Sequence, residues 1–138
     1  MKVKILVAYD GSEQARRALD WAVHMAMAQD STVGVISVAP TLAAGPRIAD
    51  AVDPTSNLDE HRRQLDEAVA VLAAAGVKAK AVLKAGNPAE EIIDAARDGR
   101  FDVILVGIRG MGAVKRFIIG SVADRVVRHA TVPVLVVR

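Results

Sequence analysis

The sequence predicts a Rossmann-like α/β fold in which a five-stranded parallel sheet is flanked by four helices. Short apolar runs alternate along the chain with longer segments whose apolar residues recur every three or four positions, a pattern typical of parallel strands joined by helices. Hydrophobic residues make up 52% of the chain but aromatic residues only 3%. The core must therefore be built from Ala, Val, Ile and Leu, which suit strands buried on both faces. A chain of 138 residues is expected to form one domain over 1–138.

The strands are predicted where apolar runs end at turn residues: 3–8, 32–38, 77–83, 103–106 and 133–137. A helix is expected after each of the first four strands, beginning near Glu13, Ser56, Asn87 and Ser121. The connection 41–55 has no steady period and contains glycine and proline, so it is expected to be irregular and is a candidate lid. Alternating strands and helices imply right-handed crossovers, with the strand order 3-2-1-4-5.

Each predicted helix start has a capping residue followed three positions later by an acidic residue. The four pairs are Asp10 with Glu13, Ser56 with Asp59, Asn87 with Glu90, and Ser121 with Asp124. These pairs also offer a purely structural explanation for Asp10 and Ser121, since a cap contributes about 1 kcal/mol without any ligand.

Composition argues against several classes of protein. The chain has 18 basic and 16 acidic residues, dispersed along its length, and little aromatic surface, so no nucleic-acid partner is expected. The first apolar run, of about six residues, is too short for a signal sequence or a membrane helix. Cysteine is absent, which excludes thiol chemistry and fits a reducing compartment. We expect a cytoplasmic protein without a membrane partner.

The strongest candidate site is a glycine-rich stretch between strand four and the last helix. Gly107, Gly110 and Gly120 are followed by Ser121 in a G-x2-G-x9-G-S pattern. A strand that leads through glycines to a helix N-terminus presents free N–H groups and partial positive charge, which bind phosphate. Ligands of such sheets lie where the strand order reverses, so Asp10 is expected opposite Gly107.

The two common phosphate motifs do not fit. Ala113 and Val114 stand where a Walker A loop needs Lys and Ser or Thr, and Lys115 stands where a dinucleotide fingerprint needs its third glycine. Lys115 and Arg116 have two open interpretations, as groups that screen phosphate charge or as a solvated loop corner.

The chain resembles the ATP-binding branch of the universal stress protein family over essentially its whole length. The matching blocks are ILVAYDGS, GNPAEEIIDAARDGRFDVILVG and GIRGMGAVKRFIIGSVADRVVRHATVPVLVV. The resemblance implies an ATP, ADP or AMP molecule between strands one and four. It implies the following contacts: ribose or adenine at Asp10 with Ala8 and Tyr9 beside it, adenine at the Val38 backbone, and phosphates at Gly107, Arg109, Gly110, Gly120, Ser121 and Val122. Ile108 departs from the small polar residue that relatives often carry there.

A small adenine-nucleotide-binding regulator of the stress response is the expected function. No catalytic residues and no protein ligands for a metal are predicted, because the sequence shows no nucleophile–base pair and no base to orient water. At most slow ATP hydrolysis is expected, with Mg²⁺ or Mn²⁺ held chiefly by the phosphates. Two alternatives stay open: a dimeric interaction module without functional nucleotide binding, and an ATP-dependent enzyme of the adenine-nucleotide α-hydrolase type. The second is less favoured because the chain leaves little room for a substrate domain.

The sheet edges predict a homodimer. Strand three carries Lys78 and Lys80, which protect an edge, whereas strand five, VPVLVV, has no internal charge. Strand five is therefore expected to pair with its copy, as the family resemblance also implies. The histidines, among them His61, are interpreted as structural, and Trp21 as a packing residue.

Overall fold

The five strands form one parallel sheet in the order β3-β2-β1-β4-β5, which confirms the predicted fold class and strand order. The computed structural model describes residues 2–41, 54–109 and 119–138. For residues 54–57 it describes the backbone only. The strands are β1 Lys4–Ala8, β2 Thr32–Pro40, β3 Ala79–Gly86, β4 Val103–Gly107 and β5 Val134–Val137. The helices are α1 Glu13–Gln29, α2 Pro54–Ala74, α3 Pro88–Asp98 and α4 Ser121–His129.

Two hydrophobic cores lie on opposite faces of the sheet. Helices α1 and α2 cover one face, where Val7, Val33 and Leu105 pack against Leu19 and Leu72. Helices α3 and α4 cover the other, and the core there contains Leu6, Ile36, Ile92, Ile104 and Val126. The side chains of consecutive strand residues point to opposite faces of the sheet. Each fully buried Val, Leu or Ile side chain stabilises the folded state by roughly 1.5–3 kcal/mol. Within the part of the chain that the structure describes, none of the helices has the length and apolar character needed to cross a membrane.

The start of α1 differs from the prediction. Ser12, not Asp10, is the N-cap, and its hydroxyl accepts a hydrogen bond from the Ala15 N–H at 3.1 Å. Asp10 lies two residues before the cap and accepts from the Ser12 N–H at 2.9 Å. Gly11 turns the chain with φ +79°, so that Glu13 becomes the first helical residue instead of the third. The proposed cap pair of Asp10 and Glu13 is therefore wrong.

The starts of α2 and α4 differ as well. Helix α2 already includes Pro54, so Ser56 lies inside the helix and does not open it; the rest of the predicted irregular connection, 42–53, lies outside the described residues. Helix α4 has Gly120 as its N-cap, without a side-chain bond to the described first turn. Ser121 is the first helical residue and not the cap. Only at α3 is the predicted cap confirmed, since Asn87 Oδ1 accepts from the Glu90 N–H at 3.1 Å.

Strand β3 begins and ends later than predicted. Lys78 precedes the strand, although its carbonyl accepts a hydrogen bond from the Val33 N–H at 3.0 Å. The strand continues to Gly86 because β2 also continues and pairs Pro40 with Gly86. Lys80 and Lys84, both exposed, are the edge lysines of the observed strand.

Candidate functional site

A cleft of about 590 Å³ opens at the carboxyl ends of β1 and β4, where the strand order reverses. Its volume is in the range of small-molecule sites. The predicted site residues that line it are Ala8, Tyr9, Asp10, Val38, Gly107, Arg109, Gly120, Ser121 and Val122. Gly110 lies outside the described residues. The fold thus brings together residues about a hundred positions apart, as expected of a switch-point crevice.

One end of the cleft is formed by the N-terminus of α4. Helix geometry leaves the N–H groups of Ser121, Val122 and Ala123 without a carbonyl partner inside the helix, and the helix dipole adds partial positive charge. Because Gly120 has no side chain, the cap does not occupy these donors. Arg109, a positively charged residue, also lines the cleft. This end can bind an anion such as phosphate.

The backbone of Ile108 holds this end in place. Its N–H donates to the Val137 carbonyl at 2.7 Å, and its carbonyl accepts from the Gly120 N–H at 2.6 Å. The end of β4, the end of β5 and the start of α4 are therefore linked through one residue. Since both contacts are made by the backbone, the departure of the Ile108 side chain from the family pattern leaves them intact.

Gly107 has a packing role that the sequence did not reveal. A Cβ built on it would lie 2.8 Å from the Gln14 Cβ and 3.0 Å from the Gln14 carbonyl carbon. Glycine at this position therefore lets β4 approach the backbone of α1.

The cleft also has an apolar wall, on the side of α3 and α4. Ile36 and Val38 of β2 and Ile92 of α3 belong to the core beneath α3 and α4, Val122 of α4 packs against it, and all four line the cleft. Such a wall suits a flat apolar ring. Burial raises the pKa of Tyr9, and the hydrogen bond of Tyr9 to Arg16 acts on that pKa in the opposite direction.

The backbone of β2 also borders the cleft. The Ile36 carbonyl accepts from the Tyr9 N–H at 2.9 Å, so the backbone groups of Ile36 point towards β1. In a parallel strand the same direction recurs two residues later, and β1 has ended by then. The N–H and carbonyl of Val38 consequently point into the cleft beyond the end of β1, which supports the predicted backbone contact.

A polar wall, formed by Glu60, His61 and Gln64 of α2, was missed in the sequence. The His61 Nδ1 lies 2.6 Å from the Ser37 Oγ. Burial lowers the pKa of His61, and the negative charges of Asp10 and Glu60 oppose that shift. A usable signal existed: His61 falls on the apolar stripe of α2 with Leu65, Ala68 and Leu72, and Ser37 interrupts an apolar strand.

Gln64 completes this wall. It is only 8% exposed, and its Nε2 donates to Glu60 Oε1 over a long 3.4 Å. Its Oε1 is buried, without a hydrogen-bond partner among the described residues. Within the described ranges no group of three His, Cys, Asp or Glu side chains is arranged to hold a metal.

Fold and cleft together define a doubly wound α/β protein with a cleft at its switch point. A profile described as "Universal stress protein family" matches residues 1–138. The chain is 33% identical to universal stress protein YxiE of Bacillus subtilis over 145 aligned positions, which cover 98% of each chain. It belongs to the universal stress protein family.

Solved structures agree with this assignment. The universal stress protein UspA of Lactobacillus plantarum superimposes with a TM-score of 0.85 at 26% identity, over 99% of this chain and 97% of that one. A universal stress protein solved in complex with cAMP has a TM-score of 0.74 at 25% identity, over 99% of this chain and 97% of that one.

Proposed function

We propose that this chain is an adenine-nucleotide-binding regulator of the stress response, with ATP, ADP or AMP in the switch-point cleft. The observation that carries the proposal is the composition of the cleft, which combines the N–H donors at the start of α4 with an apolar wall and with backbone groups of β2 that extend beyond the end of β1. The complex of a related protein with cAMP supports an adenine nucleotide. We propose the whole chain, 1–138, as one nucleotide-binding domain.

Each part of the nucleotide has a matching set of residues. Adenine would lie at the Val38 backbone, and the ribose or adenine at Asp10, beside Ala8 and Tyr9. The phosphates would lie at Arg109 and the start of α4, where the remaining proposed contacts are Gly107, Gly110, Gly120, Ser121 and Val122. Since Ser12 caps α1, Asp10 is not required for capping and its carboxylate suits a sugar hydroxyl. Mg²⁺ or Mn²⁺, if bound, would be held chiefly by the phosphates.

Binding is tested by titrating ATP into nucleotide-stripped protein in a calorimeter. We expect saturable binding below millimolar concentration, weakened in Asp10→Asn because a neutral amide replaces the charged acceptor. Asp20→Asn, at an exposed position of α1, is the matched control. The absence of saturable binding in the unsubstituted protein would contradict the proposal.

We further propose a homodimer through the edge of β5. Leu135 in β5 is 38% exposed, and Trp21 of α1 and Val127 of α4 are 55% and 47% exposed. Both helices contact β5, so apolar side chains accompany the open strand on both faces of the sheet. The interpretation of Trp21 as a packing residue is wrong for the single chain, and its exposure supports an interface.

The dimer is tested by light scattering at micromolar concentration. Leu135→Lys should give a monomer, because a lysine on an edge strand opposes pairing. Met27→Lys changes another exposed apolar residue, which is 65% exposed, and should leave the dimer intact. A monomeric unsubstituted protein would overturn this part of the proposal. The alternative of an interaction module without nucleotide binding would be favoured by a dimer that does not bind ATP.

A further inference from the structure

A polar pair, Ser37 with His61, lies in the otherwise apolar contact between β2 and α2. Ser37 is 1% exposed and shares its face of the sheet with Val33 and Val35. The 2.6 Å hydrogen bond to the His61 Nδ1 satisfies its hydroxyl. Such a bond contributes only about 1 kcal/mol net, and apolar partners of the same shape can be nearly neutral for stability. Stability alone therefore does not explain the pair.

The bond to Ser37 orients the imidazole. With Nδ1 engaged, Nε2 is the other hydrogen-bonding atom of the ring, and His61 lines the cleft beside Asp10 and Glu60. His61 thus connects a buried hydroxyl to the ligand cleft. A carboxylate and an imidazole on neighbouring elements form a pair that can hold a sugar hydroxyl.

Position in the sheet separates His61 from the phosphate end. His61 is attached to β2 through Ser37, whereas the phosphate end is built on β4, with β1 between them. Two strand spacings amount to about 10 Å. The apolar wall lies on the opposite face of the sheet, under α3 and α4. Asp10 follows β1, which lies between these two strands, and its negative charge acts on the His61 ring. His61 therefore lies near the residue at which we propose the sugar of the nucleotide.

The chemistry of the ring points to the same partner. Burial favours the neutral imidazole by lowering its pKa. A neutral Nε2 is a donor in one tautomer and an acceptor in the other, and a hydroxyl can pair with either. A phosphate oxygen, which only accepts, pairs with just one of them.

We propose that His61 binds a ribose hydroxyl of the nucleotide opposite Asp10, with Ser37 as its positioning residue. The inference rests on the proposed nucleotide-binding function and deepens it. It predicts that the cleft discriminates ribonucleotides from at least one of the 2′-deoxy and 3′-deoxy forms, and that His61 supplies that discrimination.

The test compares ATP with 2′-deoxy-ATP and 3′-deoxy-ATP by calorimetry. In the unsubstituted protein we expect one deoxy analogue to bind about five- to tenfold more weakly, the usual effect of one hydrogen bond. His61→Phe keeps a ring of similar shape but removes both nitrogens. It should weaken ATP binding by up to the same factor and leave the affinity for that analogue unchanged, so that the ratio of the two affinities falls towards one. Binding of the analogue also shows that the variant is folded.

Two further variants sharpen the test. Ser37→Ala should reduce the ATP-to-analogue ratio partially, because the ring keeps its nitrogens but loses its orientation. His129→Phe makes the same chemical change at an exposed position and should leave the ratio unaltered. Equal weakening of ATP and both analogues by His61→Phe would overturn the inference, as would an unchanged ratio. Failure of the unsubstituted protein to bind ATP would instead refute the proposed function.

Discussion

Replacing Gly107 by Ala should both destabilise the protein and weaken nucleotide binding. The added Cβ would lie 2.8 Å from the Gln14 Cβ and 3.1 Å from the Ala15 nitrogen, whereas carbon atoms pack at about 3.5–4.0 Å. The end of β4 and the first turn of α1 must therefore separate by about 0.7 Å or more. Overpacking of this kind costs about 1–3 kcal/mol. Because the cleft lies between these two elements, the separation also displaces its walls.

Urea unfolding followed by circular dichroism measures the free energy of unfolding, and calorimetry measures the affinity for ATP. Gly76→Ala is the contrasting variant, since Gly76 has φ +75° and no atom within 4 Å of an added Cβ. It should lose roughly 1–2 kcal/mol from backbone strain alone and bind ATP normally. If Gly107→Ala were within 0.5 kcal/mol of the unsubstituted protein and bound ATP equally well, the assigned packing role would be refuted.

Other predictions concern the cap, the histidine and the edge strand. Ser12→Ala should cost about 1 kcal/mol of unfolding free energy, whereas Asp10→Asn keeps an oxygen for the Ser12 N–H and should cost less than about 0.5 kcal/mol; equal losses in urea unfolding would contradict the assigned cap. Burial lowers the pKa of His61, against the opposing charges of Asp10 and Glu60. The unfolded state therefore binds more protons below pH about 6.5. The free energy of unfolding should therefore decrease as the pH drops from about 6.5 towards the pKa of His61 in the folded protein. In the same assay the free energy of unfolding of His61→Phe should decrease less between pH 6.5 and pH 5. An identical pH slope in both proteins would refute the assignment. Leu135→Lys should halve the mass measured by light scattering, and an unchanged mass would exclude β5 as the interface.

The sheet was predictable because its signals are local and repeated. Strands such as 103–106 are apolar runs that fit only a buried position, and the alternation with helices leaves few topologies. Strand ends were less accurate: β3 was placed 77–83 but runs Ala79–Gly86. The C-terminal end of β3 depends on pairing with the extended end of β2, and no residue of β3 indicates that pairing in the sequence.

The cap errors have a common physical cause. The spacing of a capping residue and an acid recurs wherever short polar residues cluster, and at α1 both Asp10 and Ser12 are good caps. Gly11, with its positive φ, decides between them by turning the chain after Asp10. At α4 the cap is a glycine, which has no side chain to mark it.

The missed wall of the cleft shows the limit of motifs. The predicted site came from residues at strand ends, a glycine pattern and a helix start, whose positions a switch-point sheet defines. His61 reaches the cleft only because α2 packs over β2 next to Ser37, which is a tertiary contact. A polar residue on each of two packed apolar faces was the one sequence signal of that contact.

The central claim, that an adenine nucleotide occupies the switch-point cleft, is tested most directly by backbone amide NMR during an ATP titration. We predict saturable shifts at Asp10, Val38, Ser121 and Val122, with Lys80, on the edge strand β3, unaffected. The claim would be contradicted by an ATP titration that shifts none of the cleft amides, or by shifts confined to residues away from the cleft.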